Sequence, residues 1–125
     1  MRILGVIPAR GGSKGIPRKN IRPLLGRPLI AYTIAPALRA ALLTDVVVST
    51  EDEEVRSVAE RYGVRVIRRP QALAEDTVGN IPVVLHACDE MEKERGAAYD
   101  AVVLLQPTTP LRRTEDIDAA LTILM

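Results

Sequence analysis

Phenylalanine and tryptophan are absent from this sequence, and only three tyrosines occur. So few aromatic rings offer no stacking platform for unpaired bases, which argues against a single-strand nucleic-acid binder. Cysteine is almost missing too. Cys88 is the one thiol in 125 residues, so no internal disulfide can form, and a reducing cytoplasm is the compartment expected. No apolar run approaches the roughly 18 residues of a membrane span, and the N-terminus lacks a signal-peptide apolar segment. Nor does one sign of charge dominate: 17 basic residues face 16 acidic ones, for a formal net charge of +1. Neither nucleic acid nor a membrane surface is therefore an expected partner, and any basic site must be local.

What is present is an apolar fraction of 47% and a charged fraction of 26%, the balance of a soluble globular protein. The order of patterns is a regular alternation. Residues 2–7 read as a first strand, apolar enough to be buried on both faces. Pro28 suits the first turn of a helix running to about Leu42, with Leu29, Thr33, Ala37 and Ala40 along one side. Pro36 is awkward inside it, since a mid-helix proline loses a hydrogen bond. Residues 45–49 form a second strand. Thr50 and Glu53 have capping-box spacing for a second helix, whose stripe is Val55, Val58, Ala59 and Tyr62 and which stops at Gly63.

Residues 64–67 form a short third strand. A polar loop follows, then a helix over about 81–95 with the stripe Ile81, Val84, Leu85, Cys88 and Met91, ending at Gly96. Residues 101–105 are the most apolar strand and are expected at the centre of the sheet. Thr114 caps a last helix. Strands separated by amphipathic helices predict a three-layer α/β/α fold with a mainly parallel sheet, Rossmann-like in its general plan. The chain reads as a single domain over 1–125. Because it ends at Met125 inside an amphipathic pattern, it reads as truncated at its C-terminus.

Most of the chemistry sits in one loop. Residues 7–21 read Ile-Pro-Ala-Arg-Gly-Gly-Ser-Lys-Gly-Ile-Pro-Arg-Lys-Asn-Ile, directly after the first strand. Gly11, Gly12 and Gly15 free the main chain to approach phosphate oxygens, while Arg10 and Lys14 supply countercharge. Two common nucleotide fingerprints fail here. The order Gly-Gly-Ser-Lys-Gly is not that of a P-loop, and the glycine spacing is not that of a dinucleotide site.

The same segment resembles the signature of acylneuraminate cytidylyltransferases, or CMP-sialic acid synthetases. Three further stretches are similar to that family in its own order: Val-Ser-Thr-Glu-Asp at 48–52, Arg-Arg-Pro-Gln-Ala-Leu-Ala-Glu-Asp-Thr at 68–77, and Leu-Leu-Gln-Pro-Thr-Thr-Pro-Leu-Arg at 104–112. The resemblance implies a fold like that of nucleotide-diphospho-sugar transferases. It also implies a reaction of CTP with a sugar acid, giving the CMP-sugar and pyrophosphate. Alternatives are CTP-dependent activation of Kdo, legionaminate or pseudaminate, and a non-catalytic nucleotide-binding remnant.

By matching position, Arg10 and Lys14 would be catalytic and would hold the triphosphate with Gly11 and Ser13. Asn20 would lie near the ribose. Arg69 would read the cytosine edge, with Asn80 and the main chain near Val78 assisting. Gln106, Thr108 and Thr109 would face the ribose and sugar acid. The family also implies Mg²⁺, held by acidic residues expected beyond this chain, so no carboxylate here is nominated as a metal ligand. A homodimer is its usual assembly.

Other reactive side chains have structural readings. Cys88 lies on an apolar stripe with no identifiable base, His86 lies off that stripe and is expected to be solvated, and the acidic runs at 51–54 and 90–94 suit helix faces and dipoles.

Overall fold

The computed structural model describes residues 1–11, 19–74 and 79–107. Six strands are present among them: β1 (Ile3–Pro8), β2 (Pro23–Leu24), β3 (Arg27–Pro28), β4 (Asp45–Thr50), β5 (Arg65–Arg68) and β6 (Ala101–Leu104). The α-helices are α1 (Ala31–Arg39), α2 (Glu53–Arg61) and α3 (Asn80–Arg95). Strands β5, β4, β1 and β6 lie side by side in that order, and every pairing in this sheet is parallel.

Alternation along β1 assigns the layers. Ile3 and Ile7 pack with Ile30, Ile34 and Ala37 around α1 and with Val55 and Ala59 of α2. Leu4 and Val6 point to the opposite face, against Ala87 and Met91 of α3. One helix layer therefore covers each face, and β1 is buried on both. Each large aliphatic side chain fully buried in this way contributes about 1.5–3 kcal/mol.

Several expectations change. The strand at 101–104 is not central among the described residues. β6 pairs with β1 alone, and β1 and β4 hold the interior places. The chain steps outward from β1 through β4 to β5, and α3 then carries it back across to the far side of β1. Apolarity reports burial and cannot report that crossover. The first helix starts at Ala31, since Pro28 belongs to a two-residue hairpin whose turn, Leu25-Gly26, takes positive φ at both residues (52° and 84°). That is the twist a tight hairpin prefers. Pro36 is nevertheless inside α1, which closes at Arg39.

The cap of α2 is Asp52, whose carboxylate accepts from Val55 N at 3.0 Å; Thr50 instead accepts from Asp52 N at 3.2 Å. On α3 the buried residues are Val83, Ala87 and Met91, with Val84 and Cys88 beside them. Ile81 and Leu85 are exposed, at 74% and 59%. Two overlapping apolar stripes were available, and the one spaced by four residues around small Ala87 lets the helix lie close to the sheet. α3 ends at Gly96, in the left-handed conformation (φ 70°) that a side chain would strain. The helix expected after Thr114 lies outside the described residues. Among the described residues no helix is long and apolar enough to cross a membrane.

Candidate functional site

The carboxyl ends of β1, β4 and β5 adjoin, because parallel pairing sets Pro8 beside Ser49 and Thr50 beside Arg68. Open α/β sheets collect ligand groups at this edge, next to the strand where the chain reverses direction. Here that strand is β1. Leu105 N donates to Val6 O at 2.9 Å, so the exit of β6, with half-buried Gln106, runs alongside the exit of β1.

Ser49 is the centre of the arrangement. Its carbonyl accepts from Ala9 N at 2.9 Å and from Arg69 Nη2 at 3.0 Å, which uses both lone pairs. Its hydroxyl accepts from Arg69 Nε at 3.2 Å. Arg69 is only 3% exposed. Its Nη1 donates to Leu73 O at 3.4 Å, while Nη1 of Arg10 donates to Ala74 O at 3.2 Å. Two guanidinium groups from different strand exits thus take successive carbonyls of one short turn. Burial lowers the affinity of Arg69 for its proton, Glu51 opposes that effect, and nearby Arg10 adds to it. The guanidinium stays charged throughout the working pH range, because its ordinary value is so high.

The loop base is equally constrained. Gly11 N donates to Glu51 Oε1 at 2.7 Å, a short charge-assisted bond. A Cβ on Gly11 would lie 2.4 Å from Asp52 Cβ, so only glycine fits against the cap of α2. Asn20, 8% exposed, donates from its side-chain Nδ2 to Arg10 O at 3.1 Å, and its main-chain carbonyl accepts from Ile30 N at 2.7 Å. It ties the end of the loop to its beginning. An open cleft of about 270 Å³ lies between the exits of β4 and β5, lined by Glu51, Arg68, Arg69, Pro70 and Gln71.

Of the residues singled out in sequence, Arg10, Gly11, Asn20 and Arg69 are brought together at this edge. Gln106 follows β6 next to them. Asn80 is exposed at the first residue of α3 and does not line the cleft. Ser13, Lys14, Val78, Thr108 and Thr109 lie outside the described residues. Sequence reading missed Ser49 and Glu51. The signal was available, since Ser49 lies near the end of the strand beside β1 and Glu51 follows that strand on the ligand-facing edge, but Glu51 was read as a helix-dipole residue. Cys88 is half-buried against the α3 face of the sheet, and burial pushes its thiol up, away from a reactive thiolate. His86 is half-buried rather than solvated, and its Nδ1 is shielded without a hydrogen-bond partner.

A parallel sheet between helix layers, with a glycine-started loop and two arginines at the carboxyl edge of its strands, is the general plan of an open α/β ligand-binding domain. Known proteins agree. The family described as cytidylyltransferase matches residues 4–124, and the chain belongs to that family. It is 44% identical over 124 residues to the CMP-N,N'-diacetyllegionaminic acid synthase of Legionella pneumophila, covering 98% of this chain and 53% of that protein. It is 43% identical over 112 residues to the pseudaminic acid cytidylyltransferase of Campylobacter jejuni, covering 89% and 48%. Among solved structures, a CMP:2-keto-3-deoxy-manno-octonic acid synthetase complexed with CTP superposes with a TM-score of 0.80 at 26% identity, over 99% of this chain and 47% of that one. The chain spans about half the length of the curated relatives it matches.

Proposed function

We propose that residues 1–125 belong to one nucleotide-binding domain, as part of an enzyme that activates an acylneuraminate-type sugar acid with CTP, releasing pyrophosphate. Legionaminic and pseudaminic acids belong to the same substrate class, and the relatives named for them support that breadth. One observation carries the reading: Arg10 and Arg69 bond to successive carbonyls, Ala74 and Leu73, beside a cleft walled by Arg69 and Glu51. Carbonyl acceptors thus orient both guanidinium groups at the sheet edge where the phosphates of a nucleotide would lie.

In the proposed reaction the anomeric hydroxyl of the sugar acid attacks the α-phosphorus of CTP: the new P–O bond forms, the bond to the leaving pyrophosphate breaks, and the hydroxyl proton is released to water. Negative charge builds on the phosphate oxygens and the leaving group, so positioning and countercharge do most of the catalysis. Arg10 and Lys14 would supply the countercharge, and Gly11 and Ser13 would shape the loop around the phosphates. Asn20 would hold the loop near the ribose, Arg69 and Asn80 would serve the cytosine side, and Gln106, Thr108 and Thr109 would serve the sugar-acid side.

Mg²⁺ belongs to this reading through the family resemblance. Among the described residues no three His, Cys, Asp or Glu side chains gather as metal ligands. A homodimer and a cytoplasmic location are parts of the same proposal. Calorimetric titration of the full chain with CTP, ATP and GTP tests it. CTP is expected to bind roughly tenfold tighter or more, a difference of ~1.4 kcal/mol. Equal affinities would overturn it.

A further inference from the structure

Glu51 stands between the two halves of the site, and the mechanism above leaves it unused. It follows β4 directly, so its position is set by the strand that separates β1 from β5. One carboxylate oxygen, Oε1, holds Gly11 N at 2.7 Å, the first amide of the glycine loop after Arg10. The other, Oε2, is shielded from solvent. The same side chain lines the cleft together with Arg69, Pro70 and Gln71. A residue meant only for the helix dipole would have no need of either contact. The cap of α2 is already supplied by Asp52, one residue later.

From this geometry we infer that Glu51 is a positioning residue that joins the triphosphate loop to the base-side wall, fixing Gly11 through a hydrogen bond and Arg69 through its charge. The inference rests on the cytidylyltransferase reading and names what sets its nucleotide selectivity. The guanidinium of Arg69 donates to Ser49 Oγ, Leu73 O and Ser49 O, all neutral acceptors, so these bonds orient it without balancing its charge. Glu51 supplies the nearby negative charge, and Arg10 contributes repulsion. Remove the carboxylate charge, and the guanidinium is drawn toward the most negative group available. In the bound complex that group is the triphosphate, and the base wall loses its reader.

Charge and hydrogen bond can be separated by substitution. Glu51→Gln keeps an acceptor for Gly11 N and removes the charge. Glu51→Asp keeps the charge and shortens the reach by one methylene. The probes are CTP, ATP and inorganic pyrophosphate, titrated calorimetrically against the unmodified chain and both variants. In Glu51→Gln the preference for CTP over ATP is expected to fall about tenfold, the usual scale for loss of one charged contact, while pyrophosphate binds at least as tightly as before. Glu51→Asp is expected to recover most of the preference. A general loosening of the fold would weaken pyrophosphate and CTP together, and that parallel loss would overturn the assignment. So would an unchanged CTP:ATP ratio in Glu51→Gln. If the unmodified chain itself shows no preference for CTP, the failure lies with the functional reading and takes this assignment with it.

Discussion

The two ends of the four-stranded sheet handle charge in opposite ways. At the amino-terminal end Asp45, with a side chain 17% exposed, faces Arg95 at 3.3 Å and Arg2 at 4.0 Å, and accepts the hydroxyl hydrogen of Tyr99. Arg2 lies over the Tyr99 ring at 5.0 Å, and its main-chain N donates to Asp100 Oδ2 at 2.7 Å. Each cation there meets an anion or a π-face directly, in water-accessible surroundings. At the carboxyl end Arg69 is almost fully buried, and its hydrogen bonds go to Ser49 and Leu73, neither of them charged. Burying a guanidinium on neutral acceptors is costly, whereas pairing charges at a surface is cheap but contributes little. The first end closes the fold. The second keeps a cation in place through neutral hydrogen-bond acceptors, with Glu51 as a nearby negative charge.

Arg69→Met tests that contrast most severely. The variant keeps much of the volume but strips donors from Ser49 O, Ser49 Oγ and Leu73 O. A loss of about 3 kcal/mol is expected from the buried acceptors left without their donors, read from the denaturant midpoint, and the preference for CTP should vanish. A cost no greater than that of breaking the Asp45 cluster would erase the asymmetry. Gly11→Ala comes next. Its Cβ would collide with Asp52 Cβ and Cγ at 2.4 and 2.5 Å, so the loop base and the cap of α2 cannot both keep their places. About 2 kcal/mol is expected from overpacking and a weakened cap, measured by thermal or denaturant unfolding. No change in stability would mean that the loop base yields freely and is not a built seat.

Local features were the legible ones. The strands at β1 and β4 and the stops at Gly63 and Gly96 follow from apolar runs and glycine, and are readable within a few residues. The place of β6 was not, because a crossover through α3 moves it to the far side of β1 without leaving a mark on its composition. The buried face of α3 was ambiguous for a related reason: the stripe through Ile81 and Leu85 is as apolar as the one through Val83 and Ala87. For the site, Arg10, Gly11, Asn20 and Arg69 announced themselves by loop composition and family resemblance. Ser49 and Glu51 lie in the family-like stretch 48–52, but nothing in that stretch assigned either a role at the site. Their contacts span 20 and 40 residues of sequence, and only the parallel register of β4 between β1 and β5 brings them into reach.

Asp45→Asn probes the other end and should have the smallest effect on stability at neutral pH. Its ion pairs are partly solvated, so about 1 kcal/mol or less is expected. The informative readout is Tyr99. Burial first, then the hydrogen bond and charge of Asp45, push its hydroxyl up to about 12 from an ordinary 10.0. Because the folded value exceeds the unfolded one, the fold favours neutral tyrosine. That contribution is fully present below about pH 10 and is lost as pH rises toward about 12. Removing the Asp45 charge leaves burial acting alone, opposed by Arg2 and Arg95, which both favour the phenolate. Tyr99 should then ionise at lower pH, and alkaline loss of stability should begin earlier. Absorbance titration in a Tyr32→Phe, Tyr62→Phe background isolates the residue. An unmoved Tyr99 titration in Asp45→Asn would mean that burial alone sets it, and that the charge cluster at this end is only a neighbour of the tyrosine it touches.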